Sequence, residues 1–112
     1  MRVLVLGSGM IGPAAAWAVA NPRLAGPVDE VVVVDRDARA LEQARAEILP
    51  HFPPTSRLVT AIVDLADPSA VGHWFDSCDL AVAALPRAIH ALGVEAARRA
   101  GKPLVDVARP DP

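Results

Sequence analysis

The chain has 112 residues, 53% of them hydrophobic and 21% charged, with 11 Lys and Arg against 13 Asp and Glu for a formal net charge of -2. A chain of this length buries about two thirds of its unfolded surface, enough for one domain without disulfide or metal. The balanced charge and 4% aromatic content supply neither a basic stripe nor a stacking platform, which argues against a nucleic-acid partner. Apolar runs break well short of the ~20 residues of a membrane span. A single cysteine, Cys78, with no recognisable targeting segment, leads us to expect a soluble protein of the reducing cytoplasm.

Along the chain, apolar runs alternate with helical patterns, the signature of a parallel sheet with crossover helices. The first strand is expected over residues 2–6, followed by a helix over 10–20 that Asn21 and Pro22 end and a Gly26-Pro27 loop follows. A second strand covers 30–35, its unbroken valines suited to burial on both faces. A helix over 38–49 carries Leu41, Ala44 and Ile48 on one stripe with Arg45 opposite, and residues 50–54 form a proline-rich loop. The third strand is expected over 57–63, ending at Asp64. Asp67 and Pro68 are an N-cap and first-turn proline for a short helix over 68–77. A fourth strand over 79–84 leads through Leu85-Pro86 into a helix that Gly101 closes, and a fifth strand covers 103–107. About five strands joined by right-handed crossovers give a doubly wound α/β sheet of Rossmann-like form, order 3-2-1-4-5. No repeat or linker divides residues 1–112, which read as a single domain.

The most informative motif is Gly7-Ser8-Gly9-Met10-Ile11-Gly12, set between the first strand and the first helix. Gly7 permits the tight turn, Gly9 lets the backbone approach a pyrophosphate, and Gly12 lets helix pack on strand, while N–H groups at the helix start face the anion. About 20 residues further on, Asp35 ends the second strand, where its carboxylate accepts hydrogen bonds from the adenosine ribose and repels a 2′-phosphate. That preference favours NAD over NADP. Arg36 complicates it, because a guanidinium stacks on adenine or pairs with a 2′-phosphate, and the alternative task for Asp35 is to cap the following helix, in which Asp37 competes. Asp64 is placed to meet the adenine amino group or, equally, to serve as a solvated loop carboxylate or cap. The strand order gathers Gly7 to Gly12, Asp35, Asp64 and Leu85-Pro86 onto one rim.

These residues resemble a known family. The runs 3–12, 32–37, 79–86 and 97–107 are similar to the N-terminal cofactor domain of the saccharopine dehydrogenase and lysine 6-dehydrogenase group, a resemblance that extends over nearly the whole chain. The glycine motif is common to many dehydrogenases, whereas the Ala84-Leu85-Pro86 turn and the Val105-Asp106-Val107 strand are more particular. The resemblance implies an NAD(P)-dependent oxidoreductase acting on an amino acid, with Ala84, Leu85 and Pro86 lining the nicotinamide ribose site. Many relatives carry a polar residue where this chain has Ala83. The family's substrate domain begins near Val107, so the sequence reads either as a truncated cofactor domain, inactive alone, or as a stand-alone module.

No catalytic constellation stands out. His90 is the histidine nearest the expected rim, His51 falls in the proline loop, and His73 neighbours Trp74; the three are too scattered for a metal site. Asp106, near the end of the fifth strand, suits orientation of a substrate amine or a plain strand-end carboxylate. Trp17, Trp74 and Phe75 read as packing residues. A regulatory module that senses NAD or an adenine nucleotide uses the same glycine turn and is the alternative. The sugar-oxidoreductase family is also similar at residues 86–90 and 100–102, without the Glu-Lys-Pro end expected there. A fifth strand left as an open edge predicts a homo-oligomer.

Overall fold

A computed structural model describes residues 1–7, 28–85 and 87–106. Within them five strands form one sheet in the order β3-β2-β1-β4-β5. The strands are β1 (Arg2–Leu6), β2 (Glu30–Asp35), β3 (Arg57–Ile62), β4 (Leu80–Ala83) and β5 (Leu104–Asp106). All four pairings are parallel. This is the doubly wound order expected from the alternating pattern. The helix expected over 10–20 lies outside the described residues, as do the glycines Gly9 and Gly12, together with Trp17, Pro86 and Val107.

Three described helices flank the sheet: α1 (Ala38–Ile48), α2 (Pro68–Asp76) and α3 (Arg87–Ala100). They divide the core into two layers, one on each side. Leu41, Ala44 and Ile48 of α1 pack with Val3, Val5, Val31, Val33, Leu58 and Val82. On the other side Val71 and Phe75 of α2 and Ala97 of α3 pack with Leu4, Leu6, Val32, Val34 and Ala81. Alternate residues of β1 and β2 therefore serve opposite layers, which is why both strands are apolar without a break. Phe75 is fully buried and Trp74 sits at the margin of the same layer, as expected of packing residues.

Local chemistry sets the ends of the elements. Asp67 accepts hydrogen bonds from the Ser69 and Ala70 amides at 3.1 and 3.4 Å, and Pro68 opens α2, whose missing N–H has no partner to lose there. At the far end of α3, Gly101 takes φ +68°; its amide donates to the Arg98 carbonyl and the Lys102 amide to the Ala97 carbonyl, the paired bonds of a Schellman end. The proline segment differs from the loop expected over 50–54. Leu49–His51 continue α1 as one 3-10 turn, because Pro50 falls in its first positions, where no N–H is required, and the Phe52 amide closes it on the Leu49 carbonyl. β5 starts at Leu104, one residue later than expected, since Pro103 has no N–H to donate, yet its carbonyl still accepts from the Ala81 amide at 3.0 Å.

Candidate functional site

Parallel pairing aligns the carboxyl ends of all five strands on one rim, and short hydrogen bonds extend that alignment into the loops. The Gly7 amide donates to the Val34 carbonyl at 2.8 Å, and the Ala84 amide to the Leu6 carbonyl at 2.8 Å. Farther out, the Val63 amide donates to the Asp35 carbonyl at 2.9 Å. Because Leu6 pairs with Val34 on one side and Ala83 on the other, the rim runs Asp64, Asp35, Gly7, Ala84 across four adjacent strands. The described members of the expected site are thus neighbours, at the switch point where open α/β sheets bind ligands.

Among the described residues of the rim, Gly7 is closely approached by the turn after β4. Its φ is +96°, and a Cβ built on it would lie 2.5 Å from the Ala84 carbonyl oxygen, 3.1 Å from that carbonyl carbon and 3.2 Å from a Leu85 methyl. Both the dihedral and the space demand glycine. The first glycine of the motif therefore does two things: it turns the chain out of β1, and it admits the turn that follows β4. Ser8, Gly9, Met10, Ile11 and Gly12, which complete the motif, lie outside the described residues.

At the tip of β2 the roles of the two aspartates separate. Asp37 caps α1, its Oδ1 accepting from the Arg39 and Ala40 amides at 3.0 and 3.3 Å. Asp35 does not cap the helix. Its Oδ1 accepts from the Asp37 amide at 3.0 Å, a local turn that orients the half-buried carboxylate at the strand end. Arg36 is exposed between them. Asp64 is exposed and closes a similar turn, Oδ1 accepting from the Ala66 amide at 2.9 Å, as a solvated loop carboxylate does.

Past β4, Ala84 is half-buried, while the Leu85 side chain is only 4% exposed and belongs to the layer under α2 and α3. What Leu85 offers to a ligand at the rim is main chain. The histidines stay apart. His90 is half-buried on α3, His51 lies in the 3-10 turn, and His73 meets Trp74 edge to face at 5.5 Å. Among the described residues no three His, Cys, Asp or Glu side chains gather as metal ligands. Cys78 is a buried free thiol, and burial pushes its pKa up despite the opposing charge of Lys102. An open groove of about 420 Å³ between α1 and the outer side of β3 is lined by Leu41, Glu42, Arg45 and Ile62 among others, beside the β2 tip and away from Gly7. Gly93, buried in the middle of α3 against Leu85, was not singled out from sequence; the signal was present, since an interior helical glycine costs about 1 kcal/mol relative to alanine and so implies a packing reason.

A parallel sheet of this order, with a glycine-only turn after β1 and an aspartate ending β2, defines a dinucleotide-binding Rossmann domain of the dehydrogenase type. The accepting carboxylate of Asp35 and the glycine at the turn after β1 fit the chemistry of such a ligand, whose ribose hydroxyls donate and whose pyrophosphate needs close approach of main chain. Residues 3–111 match the saccharopine dehydrogenase NADP binding domain family, and the chain belongs to that family. The fold is similar to that of apo saccharopine dehydrogenase (L-Glu forming) from Saccharomyces cerevisiae, with a TM-score of 0.67 and 24% identity over 99% of this chain and 22% of that one. It is similar also to a shikimate 5-dehydrogenase from Mycobacterium fortuitum (TM-score 0.63, 20% identity, 94% of this chain and 44% of that one). A third likeness is to an NAD+-bound xylitol dehydrogenase (TM-score 0.57, 24% identity, 72% and 31%). The chain thus spans about a fifth of the length of the yeast enzyme.

Proposed function

We propose that this domain holds NAD, in preference to NADP, for a dehydrogenase acting on an amino acid of the lysine or saccharopine class. The observation that carries the cofactor choice is Asp35, next to Gly7 across the rim and oriented by the Asp37 amide. A carboxylate there accepts hydrogen bonds from the ribose hydroxyls and repels a 2′-phosphate; Arg36, exposed beside it, stacks on adenine. In this reading the glycine turn, residues 7–12, receives the pyrophosphate, Asp64 faces the adenine end, and the main chain of Ala84, Leu85 and Pro86 borders the nicotinamide ribose. The nicotinamide, when bound, accepts or donates the hydride. The chain's own part is to bind and orient the cofactor.

Groups that hold the amino acid and exchange its proton belong, in this proposal, to a substrate domain beyond these 112 residues, in keeping with a relative of which the chain covers 22%. The free thiol of Cys78 suits a reducing compartment such as the cytoplasm. Thermal unfolding with NAD, NADP and ADP-ribose side by side tests the reading. A ligand at ~100 times its dissociation constant adds about 2.7 kcal/mol to the folded state, a shift of roughly 10 °C for a domain of this size. A larger shift with NAD than with NADP is expected. Equal shifts would remove the discriminating role of Asp35, and no shift with any of the three would overturn nucleotide binding by this chain.

A further inference from the structure

Leu85 is held between two glycines that lie far apart in sequence. One methyl, Cδ2, lies 3.2 Å from where a Cβ on Gly7 would sit. The other, Cδ1, lies 3.0 Å from the corresponding point on Gly93 of α3, where the Leu6 Cδ1 methyl is 3.2 Å away. The side chain is 4% exposed, so it has no route to solvent by which to relax. Directly before it, the Ala84 carbonyl oxygen lies 2.5 Å from where a Cβ on Gly7 would sit, and the Ala84 amide is bonded to the Leu6 carbonyl. Anything that pushes Leu85 away from α3 therefore drives it toward the Gly7 turn.

We propose that Gly93 is a positioning residue for the cofactor site: by leaving room for Leu85 it sets how closely the turn after β4 approaches the glycine turn after β1. A helix has no backbone need for glycine at this point, and Gly93 lies on a different element from the glycine motif, about eighty residues away in sequence. Its bare α-carbon is explained by the packing against Leu85 and Leu6. Close-packed interiors transmit such displacements because no void absorbs them. The nucleotide consequence rests on the reading under Proposed function, in which the β4 turn borders the nicotinamide half and the glycine turn the pyrophosphate. Widening the gap between the two turns then weakens ligands that engage both, and spares ligands that engage only the adenosine diphosphate half.

The test uses the full chain and two readouts. The first needs no ligand: the amide NMR resonance of Gly7, whose proton is bonded to the Val34 carbonyl, is followed in Gly93→Ala and in Gly93→Ala with Leu85→Val, which removes bulk at the wedge. We expect the resonance to move in the single variant and to return toward its original position in the double. The second is the ratio of NADH to ADP dissociation constants, expected to worsen 5-fold or more in Gly93→Ala and to recover in the double variant. Should Gly93→Ala fail to fold, Leu85→Ala empties the same wedge without adding bulk and is expected to shift the Gly7 resonance and the ratio as well. A Gly7 resonance unmoved in these variants overturns the proposal, as does an equal loss for NADH and ADP. A resonance that moves while neither nucleotide binds the unmodified chain upholds the coupling of α3 to the glycine turn and overturns the nucleotide reading instead.

Discussion

Replacing Gly7 with alanine is the sharpest test of the geometry at the rim. A non-glycine residue at φ +96° bears a strain of about 1–3 kcal/mol. The added methyl would also stand 2.5 Å from the Ala84 carbonyl oxygen, which is main chain tied by its own amide to Leu6 and cannot rotate aside. Overpacking of this kind costs a further 1–3 kcal/mol or so. Together they amount to about 2–6 kcal/mol, a large part of the ~5–15 kcal/mol that holds a typical domain folded. With an unfolding entropy of about 2.1 cal/mol/K per residue, the melting temperature should fall by roughly 9–25 °C. Thermal and urea unfolding followed by far-ultraviolet circular dichroism measure the shift and the free energy. Two other glycines are internal controls. Gly101→Ala has a positive φ but open space, and should lose only about 1–2 kcal/mol of stability, all of it to backbone strain. Gly72→Ala, in α2 with nothing near the new methyl, should gain up to ~1 kcal/mol from helix propensity. A Gly7→Ala variant within 1 kcal/mol of the unmodified chain would refute the argument that the β4 turn closes on Gly7.

Asp35→Ala is expected to lower affinity for NAD more than for NADP, so that the ratio of the NAD to the NADP dissociation constant rises by about tenfold, the loss of one charge-assisted hydrogen bond and one repulsion; isothermal titration reads both. Asp67→Ala removes the cap of α2 and should cost about 1 kcal/mol, measured as a lower urea midpoint with unchanged slope. Burial raises the pKa of Cys78, so the folded chain keeps the thiol proton to higher pH than the unfolded chain does. That contribution is whole below the ordinary thiol range near pH ~8.5 and is lost as the pH rises through the folded value; the stability of Cys78→Ala, relative to the unmodified chain, should therefore improve between pH 7.5 and 10. Val105 is 49% exposed on β5, the last strand of the described sheet, and an edge of this kind predicts self-association that Val105→Lys abolishes, as light scattering would show.

Much of this architecture was legible before any coordinates. The valines of β2 sit between two layers and so show no alternation, and the Leu41, Ala44 and Ile48 stripe of α1 is the half of a helix that must leave water. Asp67-Pro68 and Gly101 act through their nearest neighbours, which is why caps and ends could be read locally. The proline-rich composition of residues 50–54 reads as loop, and it does not reveal the 3-10 turn at Leu49–His51, because proline in a first turn costs a helix nothing. The two aspartates at the tip of β2 were ambiguous from spacing alone; only the actual paths of the hydrogen bonds divide them, Asp37 as cap and Asp35 as the oriented carboxylate.

What the sequence determined by itself is whatever depends on short range and on periodicity: the alternation of strands and helices, the order of the sheet that follows from its crossovers, and a glycine turn with an aspartate some twenty residues on. What only the tertiary structure decided is the meeting of distant residues in three dimensions. Leu85 faces inward between Gly7 and Gly93, and its side chain lies in the core although its main chain lies on the rim. No local pattern encodes that contact, because it arises from how α3 packs across the carboxyl ends of β1 and β4, where a missing methyl on one element sets the position of a turn on another.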